Sequence, residues 1–122
     1  MLQINVQSLS HMWRGAFAKE RKRLMKEITA AQLKQIMQTG ERVHIIDVRE
    51  DEEVAFGMIP SAIHIRMGDI PERMSELDKQ KTYVIICRSG VRSEHVCRYL
   101  EAHGYNVCNV IDGMLGWNGE LL

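Results

Sequence analysis

At 122 residues the chain has the size of one domain, long enough for a real core and too short for two. Lys plus Arg and Asp plus Glu both count 16, so the formal net charge is zero and nothing marks the domain as a nucleic-acid binder. Three cysteines without regular spacing exclude a disulfide framework and a zinc site, and a needed free thiol suits a reducing compartment, with the cytoplasm as the expected one.

No apolar stretch approaches the roughly 20 residues that span a bilayer. The opening Met1-Leu2-Gln3-Ile4-Asn5 lacks the basic-then-apolar order of a secretory signal. The five histidines, His11, His44, His64, His95 and His103, show no metal-ligand spacing, so neither a metal nor another cofactor is expected.

Residues 1–25 stand apart from the remainder of the chain. Met12, Trp13, Ala16, Phe17, Leu24 and Met25 recur at helical spacing among Arg14, Lys19, Arg21, Lys22, Arg23 and Lys26, which predicts a basic amphipathic helix ahead of the domain. Such an arm either packs or frays as a terminal extension, or docks through residues 10–25 on a partner protein or a membrane surface. Gly15 weakens the helix by about 1 kcal/mol.

The domain proper is expected over residues 26–122. Glu27-Ile28 reads as a short strand, and Thr29 is placed to cap a helix running to about Gln38. Leu33, Ile36 and Met37 line its apolar face, and Gly40 stands where a left-handed stop is wanted. Val43-His44-Ile45-Ile46 reads as a buried strand ending at Asp47, and residues 50–56 as a helix. Ile63 and Ile65 about His64 give a short strand. Residues 67–77 are loop and one weak helix, with Ile70, Met74 and Leu77 turned inward. A strand over 82–86 leads to a helix over about 93–103, which buries Val96, Cys97 and Leu100 and stops at Gly104; a last strand covers 106–111. This alternation predicts a parallel α/β sheet whose chemistry collects beyond the carboxyl ends of the strands.

At one such end stands Cys87-Arg88-Ser89-Gly90-Val91-Arg92. A buried strand delivers a thiol to a tight, doubly cationic loop that opens into a helix, whose first turn offers unpaired N–H groups and the positive end of the macrodipole. A cysteine so placed is expected to ionise well below the ordinary value of about 8.5, in the range of about 4–7 known for activated thiols. Cys97 and Cys108 read as small core residues. Asp47 and Arg49, at another strand end, are either catalytic or, the preferred reading, an ion pair bracing the loops.

The loop resembles the active-site loop of the rhodaneses, the thiosulfate-type sulfurtransferases, in which four residues separate Cys from Arg. Phosphatases of related architecture place five residues there. A second match is Asp47-Val48-Arg49 with Glu53, Gly57, Ile59 and Ala62, although Val54, Met58 and Ser61 stand where the family usually has an aromatic residue, His and Gly. A third is Asp112-Gly113-Met114-Leu115-Gly116-Trp117, with Asp112 in place of the first Gly of a Gly-Gly-x-x-x-Trp pattern.

The resemblance implies a five-stranded parallel sheet with helices on both faces and a two-step transfer of sulfur through a persulfide on Cys87. It implies a small anionic donor such as thiosulfate, and a thiol or cyanide as acceptor. Arg88, Ser89, Gly90, Val91 and Arg92 are then the substrate-binding loop, with the Arg92 guanidinium as part of the cradle and Arg88 either in it or steering anions from solvent. Asp47, Arg49, Glu53 and Trp117 are supports, Trp117 as an apolar wall near the loop. The rival readings are a non-catalytic rhodanese-like binding module and a cysteine-dependent phosphatase or arsenate reductase.

Overall fold

A computed structural model describes residues 26–122; the expected basic helix over residues 1–25 lies outside them. Strands β1 (Lys26–Ile28), β2 (His44–Asp47), β3 (Ile63–His64), β4 (Thr82–Ile86) and β5 (Asn106–Val110) form one sheet in the order β1-β5-β4-β2-β3. Every pairing is parallel. The carboxyl ends of β2, β4 and β5 therefore lie side by side at one edge of the sheet. From them emerge Asp47 to Arg49, the Cys87 loop and the Asp112 turn.

Helix α1 (Ala30–Gln38) begins at Thr29, whose hydroxyl accepts from the Gln32 N–H while the Gln32 side chain accepts from the Thr29 N–H, so two end donors are satisfied reciprocally. Ala30 and Leu33 of its buried stripe pack on one face of the sheet against Ile45, Ile59, Val84, Ile86, Cys108 and Val110, and Ile36 is buried with them on the same helix. Helix α4 (Val91–Ala102) lies on the other face, where Val96, Cys97 and Leu100 meet Ile46, Ile85, Cys87 and Val107. It ends in a Schellman arrangement: Gly104, at φ +89°, donates to Glu101, and Tyr105 donates to Leu100.

Two helices differ from expectation. The stretch expected over 50–56 is the single turn α2 (Asp51–Val54), opened by the Glu50 N–H donating to the Glu53 carboxylate, and a left-handed Gly57 follows at φ +126°. α4 starts at Val91, two residues early, because Gly90 adopts φ +98° and itself ends the loop. Residues 67–76 form 3-10 turns on either side of α3 (Ile70–Arg73), with Ile70 in the core and Met74 and Leu77 packed against it. No helix among the described residues is long and apolar enough to cross a membrane.

The departures from the family pattern each find a local setting. Asp112 uses its carboxylate to accept the Ala30 N–H at 2.8 Å, tying the turn after β5 to the start of α1, where negative charge is favoured. Ser61 adopts φ +72°, a left-handed conformation that a glycine would take without strain. Met58 exchanges two backbone hydrogen bonds with Leu122. Val54 closes α2 and accepts the Gly57 N–H.

Candidate active site

Strand β4 is buried from Tyr83 onward, and Cys87 at its end has no exposed surface. The loop turns back so that its amides face the sulfur: the Gly90 N–H donates to Sγ at 3.1 Å and the Ser93 N–H at 3.3 Å. The Ser93 hydroxyl lies 3.3 Å from Sγ; the S–H donates to it in the thiol form, and the hydroxyl donates back once the sulfur is ionised. Burial alone pushes the Cys87 thiol up. Hydrogen bonds from the Ser93 hydroxyl and from the N–H groups of Ser93, Gly90 and Ser89 outweigh it, and the thiol sits below its ordinary value. The site is therefore built to hold a thiolate.

The other two cysteines are held the opposite way. Burial drives Cys97, on the inner face of α4, far up, and pushes Cys108 in β5 up to about 12. Both are buried and free, without the ring of N–H donors that surrounds Cys87.

The loop is clamped from β5 and the turn after it. Met114 N–H donates to the Cys87 carbonyl at 2.8 Å and Leu115 N–H to the Arg88 carbonyl at 3.0 Å. Gly113, at φ +58°, must be glycine, since a Cβ there would stand 2.6 Å from the Cys87 carbonyl oxygen. Trp117 packs with Met114 against the α1 side of the core, and its indole N–H donates to the Glu120 carbonyl. Its backbone N–H donates to the Met114 carbonyl, and Met114 in turn donates to the Cys87 carbonyl, so Trp117 is joined to the loop through Met114.

The arginines divide their labour. Arg92 gives one terminal nitrogen to each oxygen of Glu53, both at 2.7 Å. Its guanidinium thus braces the loop against α2, where the sequence suggested an anion cradle. The same hydrogen bonds hold the Glu53 carboxyl down to about 2. Arg88 is exposed, and its side chain makes no hydrogen bond or ion pair with the described residues. Val91 is 61% exposed and Ser89 is also open to solvent.

Asp47 and Arg49 are a brace. Both are buried; Nε and Nη2 of Arg49 bind the carboxylate at 2.8–3.1 Å, and Nη2 also donates to the Gly57 carbonyl. His64 donates through Nε2 to the Arg49 carbonyl at 2.6 Å. The pair thus welds the end of β2 to the segment after α2, next to Glu53. Among the described residues no group of His, Cys, Asp and Glu is placed to hold a metal ion. Sequence reasoning missed Ser93, because a serine in a first helical turn carries no signal of its own and only the folded loop brings its hydroxyl to the sulfur.

A family model, the rhodanese-like domain, matches residues 29–120. The chain is 59% identical over 96 residues to the Bacillus subtilis protein named "Putative sulfurtransferase YtwF", covering 79% of this chain and 93% of that one. It is 42% identical over 95 residues to a sulfurtransferase of Allochromatium vinosum, covering 77% and 89%. The crystal structure of a rhodanese-like domain protein from Staphylococcus aureus superposes with a TM-score of 0.77 at 44% identity, covering 80% of this chain and 97% of that one. With the parallel sheet, the order of the three sequence blocks and the thiol loop already in place, these likenesses establish that the chain belongs to the rhodanese-like family.

Proposed function

We propose that the protein is a sulfurtransferase that moves a sulfane sulfur from thiosulfate, or a similar donor, to a thiol or cyanide through a persulfide on Cys87. The observation that carries this is the ring of donors on Sγ, with Gly90 N–H at 3.1 Å and Ser93 N–H at 3.3 Å. Relatives named sulfurtransferases support the same class of reaction.

In the first step the Cys87 thiolate attacks the outer sulfur of thiosulfate. A new S–S bond forms, the S–S bond of the donor breaks, and sulfite leaves with the bonding pair. The terminal sulfur carries the negative charge, and the N–H groups that held the thiolate are at hand for it. An acceptor thiolate then takes the terminal sulfur and gives a persulfide, or cyanide takes it and gives thiocyanate; either way the Cys87 thiolate returns. Arg88, exposed and without an ion-pair partner among the described residues, attracts the anionic donor toward the loop. Arg92, anchored by Glu53, keeps a positive charge beside the sulfur without leaving its place. Residues 10–25 are proposed as a docking arm for a partner protein or a membrane surface, separate from the chemistry.

The test is intact mass under non-reducing conditions after incubation with thiosulfate. The protein is expected to gain one sulfur atom, which cyanide removes. Cys87→Ser is expected to gain none, while Cys97→Ser and Cys108→Ser load as the parent does. A Cys87→Ser protein that still loads and turns over thiosulfate overturns the reading.

A further inference from the structure

Asn109 lies in β5 opposite Ile85 of β4, two residues before Cys87, and is 1% exposed. Its alternation with Cys108 turns it to the α4 face, the side on which the loop folds back. Its Nδ2 donates to the Gly90 carbonyl at 3.2 Å. That oxygen can only accept, so the amide's orientation is fixed by chemistry. Oδ1 is thereby left, among the described residues, as a buried side-chain polar atom without a partner. A buried acceptor without a donor is costly and asks for a reason. A leucine of the same shape would avoid the cost.

The reason lies in what Gly90 does. Its N–H points at Sγ, while its carbonyl belongs to the next peptide plane. The two planes are joined only at the Gly90 Cα, where φ is +98°, a region glycine leaves easily. Two contacts from the end of β5 hold it there. The Ile111 carbonyl lies where a Cβ would be, its carbon 2.7 Å from that position, and the Asn109 amide grips the Gly90 oxygen together with the Glu94 N–H.

We propose that Asn109 is a positioning residue that fixes the Gly90 peptide so that its N–H is aimed at the Cys87 sulfur. The inference deepens the sulfurtransferase reading and rests on Cys87 as its nucleophile. Asn109 touches no reacting atom; it acts through Gly90. The charged and titratable groups that act on the sulfur, Arg92 with its partner Glu53 and Cys97 beneath it, are not altered by a change at 109.

The experiment is a pH titration of the Cys87 thiolate by its ultraviolet absorbance in Asn109→Leu and in the parent, alongside thermal unfolding. It needs no sulfur donor, so its outcome is independent of whether sulfur transfer itself is found. Thermal unfolding shows whether the leucine variant is folded at the temperature of the titration. Its thiol midpoint is expected to rise by about one pH unit, a roughly tenfold loss of thiolate below the midpoint. Sulfur loading below the midpoint is expected to slow in proportion. An unmoved titration, whatever the thermal stability, overturns the proposal and leaves Asn109 a packing residue. If the leucine variant does not fold, Asn109→Ala is titrated and read the same way.

Discussion

Arg49 and Arg92 each grip a carboxylate through two nitrogens, yet the Arg49–Asp47 side chains are 8% and 0% exposed and the Arg92–Glu53 side chains 31% and 28%. The buried pair joins residues two apart and spends its remaining donors on the backbone of residues 53–57. The open pair joins residues 39 apart and reaches from α2 to the loop that carries the thiol. A buried pair gives little net stability, but losing one partner strands the other charge without water. An open pair is worth little to stability, since solvent screens it. The first pair should thus report in folding and the second in chemistry.

The sharpest way to break the comparison is Asp47→Asn, which leaves the Arg49 guanidinium buried without its counter-charge. It is expected to cost about 3–5 kcal/mol of stability, read from the urea midpoint. A loss below about 1 kcal/mol would mean that water or a neighbouring carbonyl takes over, and the two pairs would then be alike.

Next in size is the open pair's effect on rate. Arg92→Ala and Glu53→Gln are each expected to slow sulfur loading by about 1–2 kcal/mol, and the double variant to lose less than the sum, since both break one contact. Loading time courses by mass supply the cycle. Strict additivity would show that the two side chains act separately.

The same pair sharpens the contrast through pH. Glu53 is held down to about 2 from an ordinary 4.5. A depressed carboxyl adds stability that is fully present above its unfolded value and disappears as pH falls through its folded value. Between about pH 4.5 and 2, Glu53→Gln should therefore converge on the parent, with about 1 kcal/mol at stake after solvent screening. Urea midpoints at several pH values that keep a constant gap between the two proteins would refute it.

The smallest effect expected is at Ser61, on the segment beyond the buried pair. Its left-handed backbone costs about 1–2 kcal/mol, part of which glycine's greater freedom in the unfolded chain takes back. Ser61→Gly should raise stability by about 0.5 kcal/mol in thermal unfolding and leave sulfur loading unchanged.

What could be read from the sequence was local. Cys87, Gly90 and Arg92 lie within six positions, so their chemistry was visible as a unit. Asp47 and Arg49 are neighbours on one strand end, and Thr29 with Gln32 forms a cap within one turn. The Glu53–Arg92 bond, the reach of Asp112 to Ala30 and the grip of Asn109 on Gly90 each join segments far apart in the chain that neighbouring strands bring together, and no spacing rule announces them. Ser93 was hidden differently: serine in a first helical turn is ordinary, and only the fold-back of the loop shows that its hydroxyl faces sulfur. The start of α4 was misplaced because Gly90 reads as loop, whereas its left-handed backbone lets the helix begin at the next residue.

The complete burial of Cys87 makes loading a question of volume. The cradle encloses one sulfur and leaves no water-sized space against it. A persulfide adds a second sulfur about 2 Å further out. It cannot be accommodated without displacing something, and the Gly90 and Ser93 amides that hold the first sulfur are the nearest things to move. The loaded protein should be a slightly swollen form of the empty one, with faster amide hydrogen exchange confined to those two positions. Emptying by an acceptor would then be a contraction, and the loop itself would report how much sulfur the protein carries.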